Sequence, residues 1–287
     1  MTDPTRNLAL VRRYQDAFET FDPARFEPFL AADPVLYGGM TMRSDRDAFA
    51  QNAAVGRLVY PFGALRISER RAVAEGDWVA VLAEREAITS TGAHYENTYG
   101  MFFEVRDEQI ATQVELLDFR VAAERLDLVA VAPVMQVPGV MRPPAQVATL
   151  PAATDDSPAA VAKRTALAFL DAFLTFDPAR YTDLLVEQPL HQVGVSRRPG
   201  RQGFDDLARA GRILYPDRAV ERVHHVLVSD GRTVATLCTL RARTHLDVAY
   251  ENLYGMFFDV HEGKIVTMIE VLDGRVAAAA FDLSVLE

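Results

Sequence analysis

Leu8, Val11, Tyr14, Ala17, Phe18 and Phe21 fall on one stripe when the chain is wound at helical spacing. The pattern predicts a long amphipathic helix. Asp3-Pro4 opens it, because an aspartate side chain caps free amides and proline is tolerated in a first turn. Leu167, Leu170, Phe173, Leu174 and Phe176 form a matching stripe later in the chain. Asp22-Pro23 and Asp177-Pro178 restart the chain as a short second helix, carrying Phe26 with Phe29, or Tyr181 with Leu184 and Leu185. A third helix is expected after Ser44, with Asp47 three residues on resembling a capping box, and ends before Tyr60-Pro61.

From Leu65 the texture changes. Residues 65–74, 78–89, 94–106 and 109–117 are rich in β-branched and aromatic side chains and are separated by Glu75-Gly76-Asp77, Gly92 and Arg106-Asp107-Glu108. They read as an antiparallel meander, to which a short strand around Val35-Leu36-Tyr37 is added. The second half turns its last hairpin at Glu262-Gly263-Lys264, where glycine takes positive φ at low cost. The fold class is α+β: about three helices grouped on one face of a curved antiparallel sheet, an arrangement that encloses a cavity.

The elements occur twice. Tyr95-Glu96-Asn97-Thr98-Tyr99-Gly100-Met101-Phe102-Phe103 returns as Tyr250-Glu251-Asn252-Leu253-Tyr254-Gly255-Met256-Phe257-Phe258, an offset of 155 positions that needs no gap. About 48 of about 125 paired positions are identical, and a unit of that length is domain-sized rather than a solenoid repeat. The expected organisation is a domain over 1–132, a linker over 133–158 punctuated by six prolines, and a second domain over 159–287. The linker is long enough to let the copies pair as a pseudo-dimer within one chain, and a further homodimer is compatible with this. Val134, Met135, Val137, Val140 and Met141 make it apolar enough to lie in part against a domain surface.

Composition and charge narrow the partners. Nearly half of the 287 residues are apolar, and the net charge of −10 without a basic block disfavours nucleic acid and anionic membranes, leaving a small hydrophobic substrate or ligand. Cys238 is the single cysteine, so no internal disulfide forms. No leader-like segment or long apolar run stands out, and cytoplasmic residence is the default expectation. No histidine spacing suggests a metal, and no glycine-rich phosphate loop or nucleophile elbow occurs, so no cofactor is implied.

Glu115 and Glu270 are the sharpest candidates for chemistry, since each sits inside a strand between apolar neighbours and a desolvated carboxyl can shuttle protons near neutral pH. The alternative is a carboxylate on the outer face, or a buried partner for an arginine. Asp118 and Asp273, three residues on, are further acid candidates; each precedes an arginine by two, a spacing that also suits a cap or local ion pair. Asn97 and Tyr99, with Asn252 and Tyr254, project from one strand face together with Tyr95 and Tyr250. They supply donors for a carbonyl, enolate or epoxide oxygen, or large rigid surface for a core. Tyr14, Tyr37 and Trp78 are candidate pocket-lining residues because the second copy replaces them with Phe169, Gln192 and Thr233, while Glu84, Arg85 and Glu86 become Thr239, Leu240 and Arg241.

The element order, the Tyr-Xaa-Asn-Xaa-Tyr-Gly-Met-Phe-Phe strand and the closing strands Ile110–Asp118 and Ile265–Asp273 resemble the SnoaL-like branch of the NTF2-like superfamily, which includes ketosteroid isomerases, limonene epoxide hydrolases and polyketide cyclases. The resemblance covers both copies and implies two α+β cones, each with a pocket between the long helix and the sheet. It also implies cofactor-independent proton transfer on a small hydrophobic substrate in secondary metabolism, with Glu115 and Glu270 matching the strand carboxylate of epoxide-hydrolase-like relatives. Tyr37 fits the tyrosine of that pattern, but Gly39 stands where its asparagine would be, and no Arg-Xaa-Asp occurs near Arg85. Gly100 and Gly255 fall near the donor aspartate of ketosteroid isomerases. Three readings follow: an enzyme, a binding module, or one catalytic copy beside a scaffold copy.

Overall fold

The computed structural model describes residues 3–38, 45–60, 65–127, 144 and 147–286. The chain divides into two units, Met1–Pro144 and Ala145–Glu287. In the first, α1 (Pro4–Phe18) is capped by Asp3, whose Oδ1 accepts from Thr5 N–H at 3.0 Å. Asp22 caps α2 (Pro23–Phe26) in the same way. Then come β1 (Leu30–Gly38), α3 (Arg46–Val59), β2 (Arg66–Glu75), β3 (Trp78–Ile88), β4 (His94–Arg106), β5 (Gln109–Leu117) and α4 (Phe119–Arg125).

The second unit repeats the order as α5 (Pro158–Phe173), α6 (Pro178–Tyr181), β6 (Leu185–Val193), β7 (Ser196–Pro199), α7 (Arg201–Leu214), β8 (Glu221–Ser229), β9 (Thr233–Arg243), β10 (Ala249–His261), β11 (Lys264–Leu272) and α8 (Gly274–Ala280). Its sheet runs β7-β6-β11-β10-β9-β8, and the first unit's runs β1-β5-β4-β3-β2. Among the described residues no helix is long and apolar enough to cross a membrane.

Three expectations need correction. The first strand of each copy pairs parallel to the last, Tyr37 opposite Val114 and Gln192 opposite Ile269, so the sheets are mixed rather than wholly antiparallel. Asp45, not Ser44, caps α3 by accepting from Ala48 N–H at 3.0 Å; Ser44 lies outside the described residues. Each unit carries four helices among its described residues, because Asp118 and Asp273 start α4 and α8.

Half of the expected linker also lies outside the described residues. Its described end is part of the second unit: Ala148 N–H donates to His224 O at 2.9 Å, Arg164 reaches Ala152 O, and Pro158 is the first residue of α5.

Each sheet buries one face under its helices. In the first unit Val79, Val81, Ala83, Tyr95, Tyr99, Met101 and Phe103 face Val11, Tyr14 and Phe18 of α1, and Phe26 and Phe49 are fully buried beside them. Burying one such phenylalanine is worth about 1.5–3 kcal/mol. The alternation of β3 and β4 therefore fixes odd-numbered residues as inward, which decides which candidates reach the interior.

Candidate active site

β3, β4 and β5 bring Arg85, Tyr99 and Glu115 to the inner face of the first sheet, under the end of α1 and beside α3. Together they line a cavity of about 50 Å³ whose other walls include Phe18, Phe21, Val55, Val59, Tyr60 and Leu117. Arg85 Nη2 donates to Glu115 Oε2 at 3.3 Å, with the side chains 12% and 5% exposed. The guanidinium also lies 4.0 Å from the centroid of the Tyr99 ring, a cation–π contact. Burial alone would favour a neutral Arg85, but the Glu115 charge and the neighbouring phenols more than restore the cation and raise its pKa. Arg85 Nε is buried with no hydrogen-bond partner. Such a donor at a cavity wall is unusual and is the group that a ligand oxygen would satisfy.

A second carboxyl senses the same cation. Glu19 is half-buried at the C-terminal cap of α1, and burial raises its pKa, against the lowering effect of Arg85. Tyr60 stands at the end of α3, and burial raises its pKa well above that of a free phenol. Burial also raises that of Tyr99, again opposed by Arg85. All three phenols of the Tyr60, Tyr95 and Tyr99 cluster are thus held as neutral donors.

Tyr95, Asn97 and Tyr99 share one face, as their alternation predicted, and that face is the inner one, but they are not equivalent. The Tyr95 and Tyr99 hydroxyls are 2.6 Å apart. Asn97 Nδ2 donates to Tyr95 Oη at 3.1 Å and to Asp118 O at 2.9 Å, while its Oδ1 accepts from Thr98 N–H at 2.9 Å. The amide's donors are spent inside the protein, tying β4 to the start of α4. Asn252 makes the same three bonds, to Tyr250 Oη, Asp273 O and Leu253 N–H.

The second unit keeps the carboxylate and changes its partner. Leu240 stands where Arg85 would be, and Leu174 where Glu19 would be. Glu270 Oε1 instead lies 2.8 Å from Nε2 of His191, a fully buried imidazole on β6 whose Nδ1 has no partner. His191 packs against Phe204. Tyr254 bonds Tyr250 at 2.6 Å, repeating the first copy's phenol pair.

Other candidates lie elsewhere. Asp118 and Asp273 cap α4 and α8 and pair with Arg120 and Arg275, the local geometry their spacing also suggested. Tyr14 is a core residue whose hydroxyl donates to Gln113 Oε1 at 2.5 Å. Trp78 is even-numbered on β3 and pairs with Glu104, on the face opposite the cavity. Tyr37 shares that face: Leu36, its neighbour, is the one in the core, and burial and Glu104 raise the phenol's pKa. Neither residue lines the cavity, because the inward parity falls on their neighbours. Gly39 lies outside the described residues.

The residues that sequence reasoning passed over are Glu19 and His191, and Arg85 entered only as a divergent position. The signal was present as paired exchanges: Leu36 with His191, Arg85 with Leu240 and Glu19 with Leu174 all exchange a polar or charged side chain for an apolar one around an unchanged glutamate.

Residues 11–113 match the SnoaL-like domain family. No curated protein matches the chain. Among solved structures, it is similar to a protein from Jannaschia sp. CCS1 provisionally described as a SnoaL-like polyketide cyclase, with 16% identity over 44% of this chain and 96% of that one and a TM-score of 0.38. It is similar also to one from Xanthomonas campestris pv. campestris provisionally described as a polyketide cyclase, with 19% identity over 43% and 98% and a TM-score of 0.36. An LEH-like epoxide hydrolase of M. tuberculosis matches with 20% identity over 45% and 98% and a TM-score of 0.37. The SnoaL-like match thus lies wholly within the first unit, whose element order and Tyr-Glu-Asn-Xaa-Tyr-Gly strand recur in the second.

Proposed function

We propose that the first unit is the catalytic copy of a cofactor-independent acid–base enzyme acting on a small hydrophobic substrate, as a cyclase, isomerase or epoxide-opening enzyme of secondary metabolism. The observation that carries this reading is the buried Arg85–Glu115 pair in an otherwise largely apolar cavity, with Arg85 Nε left unpartnered. Glu115 takes a proton from a carbon beside a carbonyl, and the electron pair of that C–H bond moves to the carbonyl oxygen. The resulting enolate oxygen accepts from Arg85 Nε–H and the Tyr99 hydroxyl, donors already in place when the charge develops. Return of the proton from Glu115 to another carbon completes an isomerisation. Attack of the enolate carbon on a second carbonyl, with the proton passing to the new alkoxide, completes a cyclisation. On an epoxide, Glu115 instead takes a proton from the attacking water and returns it to the ring oxygen, which accepts from Arg85 Nε–H and the Tyr99 hydroxyl as it departs.

The cavity holds only a few waters' worth of space, so substrate entry requires the side chains around it to move. The second unit, with Leu240 and Leu174 in place of the cation and second carboxyl, is assigned a scaffold or ligand-holding part. The apolar walls Phe18, Val55 and Leu117 favour a rival, a module that holds an apolar ligand unchanged.

A mass-spectrometric screen against epoxides, poly-β-ketones and enones tests the proposal with wild type, Glu115→Gln and Glu270→Gln. Turnover is expected to fall roughly 10²–10⁴-fold in Glu115→Gln and to persist in Glu270→Gln. Full turnover in Glu115→Gln refutes the assignment, and retention of a compound without any product selects the binding module.

A further inference from the structure

A groove of about 550 Å³ on the second unit is lined by Asp171, Leu174, Thr175, Asp177, Arg180, Arg218, Val220 and Arg222. Three arginines converge there in a chain whose net charge is −10. Both aspartates are already committed. Asp171 Oδ1 accepts from Arg222 Nη2 at 2.8 Å, and Asp177 Oδ1 accepts from Ala179 N–H as the cap of α6. Arg180 and Arg218 have no ion-pair or hydrogen-bond partner for their side chains among the described residues.

Arg222 is held by more than Asp171. Its Nε donates to His224 Nε2 at 2.7 Å, His224 Nδ1 lies 2.7 Å from Thr236 Oγ1, and that hydroxyl donates to Val226 O. His224 is kept neutral, its pKa lowered to about 4 by burial and by Arg222, so Nε2 remains an acceptor. The Arg222 side chain, 11% exposed, is thereby fixed in the wall of the groove.

Comparison of the copies shows that this charge is particular to the second. At the matching positions Glu19 becomes Leu174, Gly63 becomes Arg218 and Ile67 becomes Arg222, so two positive charges are gained and one negative charge is lost. Arg218 also holds an unfavourable backbone: it has φ +52° in the turn after α7, where its N–H donates to Tyr215 O. The first copy has glycine there, for which positive φ costs little. A bulky side chain kept in that region points to a role for the side chain itself.

We infer that this groove is an anion-binding site for a small molecule joining a carboxylate or phosphate to an apolar body. The forked donors of Arg180 and Arg218 match either anion, and Leu174 and Val220 accept the apolar part. The site is distinct from the first unit's cavity and does not depend on the function proposed for it.

Titration calorimetry of the full chain with octanoate, octyl phosphate and 1-octanol tests it. At least one anion is expected to bind at least tenfold more tightly than the alcohol and to weaken as sodium chloride is raised. R218G should lower that affinity at least fivefold with the melting temperature retained, since it installs the first copy's residue and relieves the backbone. Arg180→Gln should weaken binding without altering the turn, and Glu115→Gln should leave it unchanged. Binding of one anion but not the other identifies the head group. Failure of both anions to bind, equal affinity for the alcohol, or unchanged affinity in both arginine variants overturns the inference.

Discussion

His191 Nε2 lies 2.8 Å from Glu270 Oε1, and so a histidine on the first strand of the second sheet does for that carboxylate what Arg85, on the third strand of the first sheet, does for Glu115. Each buried glutamate keeps one partner, supplied from opposite sides. A carboxylate out of water without one is costly, which couples the exchanges at Leu36/His191 and Arg85/Leu240.

Arg85→Leu alone should therefore destabilise the protein by about 3–5 kcal/mol, because it strands Glu115. Adding Leu36→His, the second copy's solution, should recover part of the loss. Urea unfolding of the single and double variants measures this. A double variant no more stable than Arg85→Leu would show that the two arrangements are not interchangeable.

Gly56→Ala should be destabilising by about 1–3 kcal/mol. A Cβ there would meet Phe21 ring carbons at 2.3–2.8 Å, and Phe21 is fixed by its left-handed backbone (φ 55°) and by stacking on Tyr60. Helix propensity alone predicts the opposite sign, a gain of about 1 kcal/mol. Gly211→Ala repeats the test against Phe176. A rise in melting temperature in either variant contradicts the packing argument.

His224 gives stability a definite pH slope. Its pKa falls from 6.5 to about 4 on folding, through burial first and then Arg222 and His225, opposed by Asp171. The unfolded chain therefore binds the proton more readily between those values. The stabilisation is fully present above about pH 6.5 and is lost as pH falls toward 4, an effect of order 3 kcal/mol. His224→Gln should flatten that part of the profile relative to wild type. An identical slope in both proteins between pH 6.5 and 4.5 would assign the effect elsewhere.

The duplication, the helix caps at Asp3 and Asp22 and the strands of the meander were legible because local pattern dictates them. The parallel pairing of β1 with β5 was not, since it joins segments about 75 residues apart and leaves no local trace. In the site, alternation put Tyr95, Asn97 and Tyr99 on one face of β4 but not which face is inward, and Tyr37 and Trp78 were singled out by divergence between copies, which marks both faces of a sheet. Glu19 and His191 were missed for another reason: each is drawn to its partner by the tertiary fold alone.

Asn97 and Tyr99 lie two residues apart on one face of β4, and their substitution should separate structure from chemistry. Asn97→Ala removes the amide's bonds to Thr98 N–H and to Asp118 O, which keeps Ala122 N–H, and should cost roughly 1–3 kcal/mol. Whatever protein remains folded should keep its turnover per molecule. Tyr99→Phe removes only the hydroxyl bonded to Tyr95, so its stability cost should be about 1 kcal/mol. If the phenol polarises a substrate oxygen, kcat should fall by about 10²-fold with KM little changed. Stability from denaturant titration and kinetics on the same preparations read the two effects independently. The opposite assignment, with Asn97 as the donor and Tyr99 as packing, would appear as lost turnover in Asn97→Ala at full stability.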